Sequence, residues 1–132
     1  MKKQTKSSLK KKADTLFSQY IRMKYSDWRG NAKCYTCGKQ APWKELQNGH
    51  FIKRSNLSVR WDEDNCRVQC AGCNVFQNGN YHEYTFRLLD EIGEEGLIDL
   101  KKKGQKIKQW TMKDLEYLIA EIKEKIECLT KG

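Results

Sequence analysis

The sequence has little from which to build an apolar core. Of its 132 residues only 38% are hydrophobic against 33% charged, and the mean hydropathy is −0.89. Chains of this size and composition often draw stability from a metal or a partner. No apolar run approaches the ~20 residues that cross a bilayer, and the N-terminus has no signal-peptide h-region. The expectation is a non-secreted, cytoplasmic protein with no membrane partner. Internal repeats and long linkers are absent, which favours one domain. Acid is absent from the first dozen residues, which hold six lysines, and histidine is scarce, with His50 and His82 the only two.

What is present is positive charge and cysteine. Twenty-six Lys and Arg against 17 Asp and Glu give a net charge of +9, so the obvious partner is a polyanion. The lysine-rich start reads as a flexible basic arm over residues 1–12, followed by a single domain over 13–132. Phosphate contacts are expected from Lys10, Lys11, Lys12, Lys53, Arg54, Arg60, Lys101, Lys102 and Lys103, independent of base sequence.

Apolar spacing predicts a helix from about Leu9 to Tyr25. A second is predicted from Tyr81 to Gly93, and a third over 111–129 opens with the capping pair Thr111 and Asp114. Between the first two the pattern is short and broken. His50-Phe51-Ile52 is the expected strand there, with Ser58–Trp61 its expected partner.

In a reducing compartment, clustered cysteines more often hold metal than form disulfides. Cys34 with Cys37 and Cys70 with Cys73 make two C-x-x-C pairs, the pattern of a closed, structural four-thiolate Zn2+ site. Cys66 is an alternative ligand to Cys70, but the matching two-residue spacing favours Cys70-Cys73. Cys66 is then a small buried strand residue and Cys128 a free thiol.

A structural zinc module needs no chemistry between its knuckles, yet this one carries His50, then Asn65, then Asn74 directly after the last ligand cysteine. That series resembles the HNH, or ββα-metal (His-Me finger), nuclease motif. The four-cysteine frame around it resembles that of the endonuclease VII family of junction resolvases. The match extends further. Gly49-His50-Phe51, Arg60–Asn65, Gln69–Asn74 and Gly79-Asn80, with Phe17–Arg22 upstream and Leu88–Gly93 downstream, resemble the NinG (Rap) family of phage recombination proteins.

The resemblance implies an α+β fold, a zinc-braced ββα-metal core with N- and C-terminal helices. It implies a metal-dependent endonuclease acting on branched DNA such as Holliday junctions, in the bacterial host cytoplasm. By the same resemblance His50 is the general base, Asn65 braces the hairpin, and Asn74 holds a catalytic Mg2+ or Mn2+. Many HNH enzymes place an acid before the base histidine, where this chain has Gly49. Asn78, Asp62, Asp64 and Glu83 are the further candidates to hold the cation. Cutting two strands favours a homodimer, with the apolar face of helix 111–129 either its interface or packed on its own domain, and a recombinase partner is conceivable on the acidic stretch 83–99. The competing readings are a non-catalytic zinc-stabilised DNA-binding module and an HNH nickase without branch preference.

Overall fold

The computed structural model describes residues 4–131. Its first helix, α1 (Lys6–Lys24), starts upstream of the predicted Leu9, because Thr5 and Ser8 close a reciprocal capping box. Leu9 is already buried in the first turns. The arm predicted over 1–12 is therefore corrected: Lys10, Lys11 and Lys12 sit on a helix, while Lys2 and Lys3 lie outside the described residues.

Leu9, Ala13, Phe17, Tyr20 and Ile21 form the inner stripe of α1. Facing them are Leu115, Ile119 and Ile122 of the helix α3 (Met112–Lys131), which begins at the Thr111–Asp114 capping pair read from the sequence. Each such fully buried Leu or Ile contributes roughly 1.5–3 kcal/mol. The apolar face of α3 thus packs inside its own domain, one of the two uses that its pattern allowed.

Two small antiparallel sheets lie between these helices and the rest. β1 (Asn31–Lys33) pairs with β2 (Gln40–Pro42), and β3 (Gln47–His50) pairs with β4 (Cys66–Gln69). The predicted partner of the His50 strand is corrected by this register. Ser58–Trp61 forms turns, and His50 faces Cys66 at the end of the ladder. β4 is buried along its whole length, including the charged Arg67. Arg67 is accommodated because Glu91 and the carbonyls of Glu63 and Cys66 accept hydrogen bonds from its guanidinium.

After β4 comes one π-helical turn, Gly72–Phe76, and then α2 (Tyr81–Gln105). Gly93, with φ 76° and ψ 172°, breaks α2 where the sequence ended it, but a second helical piece follows. Tyr84, Leu88 and Leu100 of α2 make a second cluster with Val59. The result is a mixed α+β architecture, with no helix among the described residues long and apolar enough to cross a membrane.

Candidate functional site

The knuckle turn after β1 carries Cys34 and Cys37, and the turn leaving β4 carries Cys70 and Cys73. The four ligand atoms lie within 4.8 Å of one another. The sulfurs of Cys37 and Cys70 are 3.7 Å apart. A tetrahedron with Zn–S near 2.3 Å has edges of about 3.8 Å, so the spacing suits one zinc ion.

The surrounding donors suit thiolates. The Thr36 hydroxyl lies 3.4 Å from Cys34 Sγ, the Cys73 N–H donates to Cys70 Sγ at 3.4 Å, and Asn80 Nδ2 donates to Cys73 Sγ at 3.6 Å. Burial raises the Cys34 thiol, but Thr36 and backbone N–H groups outweigh it and bring it down to about 6. The Lys39 N–H favours the Cys37 thiolate, yet burial and the crowding sulfurs push it up to about 12. Four sulfurs this close cannot all ionise unaided, and a divalent cation at their centre removes that repulsion. Cys66 is buried on β4 outside the cluster and Cys128 is exposed, as read from the sequence.

The second feature is a cleft of about 580 Å³. His50, Asn74 and Asn78 line it together with Lys53 and Arg54. His50 Nε2 lies 2.9 Å from the carbonyl oxygen of Arg60. A carbonyl only accepts, so Nε2 carries the proton and Nδ1 of the neutral ring keeps a free lone pair. Burial lowers the His50 pKa below its usual value. Arg54 and Arg60 act in the same direction, while the Arg60 carbonyl and Asp14 oppose them. The net effect favours the neutral ring over the imidazolium.

Asn65 is fully buried and ties together the loop that follows His50. Its Oδ1 accepts from the Ile52 N–H at 2.7 Å, and its Nδ2 donates to the carbonyls of Ile52 and Val59 at 3.0 and 3.1 Å. Asn74 lies on the π-helical turn, its N–H donating to the Cys70 carbonyl at 2.9 Å, so its position is tied directly to the cysteine knuckle. Asn74 Nδ2 donates to Gln47 Oε1 at 2.8 Å, which leaves Oδ1 as the end open to a ligand. Asn78 is exposed with φ 49°, in a left-handed turn that separates it from any helix carrying Asn74.

The candidate carboxylates are elsewhere. Asp62 pairs with Lys103 at 2.9 Å, Glu83 pairs with Arg87 along α2 at 3.5 Å, and Asp64 is exposed. None of the three lines the cleft. The acid that does is Asp14, which sequence reading passed over. Its signal was that it is the single acid among the first 26 residues, one place beside the buried Ala13.

The basic candidates divide. Lys53 and Arg54 are exposed at the cleft, with Arg22 of α1 a third basic residue there that the sequence did not single out. Arg60 is instead held against Asp14, with only 17% of its side chain exposed. Lys101 and Lys102 are exposed outside the cleft, and Lys103 is engaged with Asp62.

Fold and site together define a basic, cysteine-braced α+β protein with a histidine-bearing cleft. The chain belongs to the NinG family: the family model described as Bacteriophage Lambda NinG protein matches residues 1–132. It is 26% identical over 122 residues to the protein ninG of Escherichia phage lambda, an alignment covering 90% of this chain and 56% of that relative. It is 28% identical over 122 residues to the protein ninG of Salmonella phage P22, covering 90% and 56%. The chain thus spans little more than half the length of these relatives. No solved structure matches it.

Proposed function

We propose that this chain is a zinc-braced, metal-dependent endonuclease that cuts DNA at branches, Holliday junctions included. The observation that carries the reading is His50. Its Nε2 proton is fixed on the Arg60 carbonyl and its Nδ1 is unprotonated, in a cleft shared with Asn74 and the basic side chains of Arg22, Lys53 and Arg54. In this reading β3, β4 and the turn after Cys73 form the ββα-metal unit.

His50 Nδ1 takes a proton from water as the water oxygen bonds to phosphorus. The bond from phosphorus to the 3′ oxygen breaks, leaving a 5′-phosphate and a 3′-hydroxyl that takes its proton from solvent. The cleft fits a hard cation modestly: Asn74 Oδ1 is available, and the buried Oδ1 of Asn48, which also lines the cleft, lacks a hydrogen-bond partner. Mg2+ keeps several waters readily and needs few protein ligands. When bound, it would stabilise charge on the pentavalent phosphorus and the departing oxygen. Asn74 is the residue that would hold it. Asn65 keeps the loop 51–59 closed, and Lys53, Arg54 and Arg22 would grip phosphates.

Cutting both strands of a junction calls for two sites, and we propose a homodimer whose interface lies away from the buried face of α3. Incubating the protein with Mg2+ and a labelled four-way junction, beside a linear duplex of equal length, tests the reading. Cleavage restricted to the junction supports it. Equal cutting of both substrates favours a nickase without branch preference, and binding without cutting favours a DNA-binding module.

A further inference from the structure

We propose that Asp14, on α1, is the positioning residue that holds the Arg60 carbonyl on His50 and so keeps the ring in its base-competent orientation. That carbonyl lies outside the paired strands. It belongs to the peptide between Arg60 and Trp61, in a stretch of turns beyond the end of the β3–β4 ladder. No strand pairing fixes that peptide.

Asp14 grips both residues that flank it. Oδ1 of Asp14 accepts from Arg60 Nε at 3.0 Å and from Trp61 Nε1 at 3.0 Å, while Oδ2 accepts from Arg60 Nη2. The pair is largely shielded, with 20% of the Asp14 side chain exposed and 17% of Arg60. Charge-assisted, two-pronged contacts of this kind are directional as well as strong. Trp61 is braced further by the edge of Trp110, with ring centroids 5.1 Å apart.

Asp14 thus acts through two neighbours and one peptide. It bonds to Arg60 and Trp61, their shared peptide presents its oxygen, and that oxygen accepts the hydrogen bond from Nε2 of His50. The arrangement joins α1, which carries none of the four clustered cysteines, to the orientation of the ring. It also assigns Arg60 a purpose other than phosphate contact. The value of this for catalysis rests on the nuclease reading above, but the geometry does not.

The test reads the His50 ring proton by NMR on the zinc-loaded, DNA-free protein. An Nε2 proton held on a half-buried carbonyl exchanges slowly enough to give a resolved signal, whereas the exposed His82 gives none. We expect that signal in the wild type. In Asp14→Asn and in Arg60→Met its exchange with solvent should speed by about tenfold or more, with zinc content and the backbone spectrum of α3 preserved. Because the two substitutions break one contact from opposite sides, the double variant should add little to either. An unchanged His50 signal in either folded single variant overturns the proposal. A protein that shows the expected exchange yet cuts no DNA overturns the nuclease reading alone. On a four-way junction, Asp14→Asn should slow cutting by about tenfold while binding is retained.

Discussion

A Cβ on Gly49 would lie 1.9 Å from Oε1 of Gln69. Gln69 cannot withdraw easily. It is fully buried, and its Nε2 donates to Thr36 Oγ1 at 3.1 Å and to the Gly79 carbonyl at 2.9 Å. The residue before His50 is therefore glycine because β4 fills the space where a side chain would go, and a carboxylate there is excluded by packing. The hydroxyl of Tyr84 donates to the Gly49 carbonyl at 2.8 Å, fixing the same peptide from α2.

Installing the missing acid should accordingly harm the protein. Gly49→Asp and Gly49→Ala should each destabilise by about 1–3 kcal/mol or more in urea melts, the usual cost of overpacking. Trimming the neighbour with Gln69→Ala should relieve part of that cost, giving a favourable coupling in a double-mutant cycle. A Gly49→Asp protein as stable as the wild type would show that the space exists.

The cysteine cluster should bind one zinc per chain and hold the fold. Removing it with a chelator should unfold the β1–β4 region, since structural zinc in small domains is worth on the order of 10 kcal/mol. Serine at Cys34, Cys37, Cys70 or Cys73 should abolish stoichiometric zinc, measured by atomic absorption, and serine at Cys66 or Cys128 should not. Loss of zinc in Cys66→Ser with the fold intact would reassign the ligand set.

Glu63 ties α1 and α3 to the turn before β4, accepting from Tyr20 Oη and Lys24 Nζ at 2.9 Å and from Lys125 Nζ at 3.0 Å. Burial opposes its ionised form, but these donors outweigh it and bring its pKa from 4.5 to about 2. A carboxylate whose folded pKa is depressed stabilises the fold above its unfolded pKa and loses that effect as pH falls through the folded value. Glu63→Gln should therefore lower Tm at pH 7, with the gap to wild type closing between pH 4.5 and about 2. A gap independent of pH would contradict this.

Asn65→Ala leaves the Ile52 N–H and carbonyl without their side-chain partner, and the Val59 carbonyl with the Asp62 N–H alone. A loss of about 2 kcal/mol or more is expected in urea melts. Asn65→Asp should not rescue it, because a carboxylate oxygen would then face two carbonyl oxygens. Full stability in Asn65→Asp would contradict the bracing geometry.

How much of this was legible in the sequence follows from the range of each interaction. The stripe of Leu115, Ile119 and Ile122 and the Thr111–Asp114 cap are local, and α3 was read from them directly. The cysteine pairs were legible because their two-residue spacing is itself the ligand geometry. The strand opposite His50 was misread because β4 buries Arg67 and Gln69, polar residues that look like a surface until Glu91, Thr36 and Gly79 supply their partners. Asp14 was invisible for the same reason, since its partners Arg60 and Trp61 lie more than forty positions away in sequence.

The proposed role of His50 as the base of a DNA-cutting site is open to direct test. The direct measurement is the Mg2+-dependent rate of nicking on a labelled four-way junction by wild type and by His50→Ala, both shown to be folded and zinc-loaded. Nicks at the branch should fall by about 100-fold or more in the variant, while junction binding persists. Equal rates in the two proteins, or no cutting by the wild type with Mg2+ or Mn2+, would contradict it.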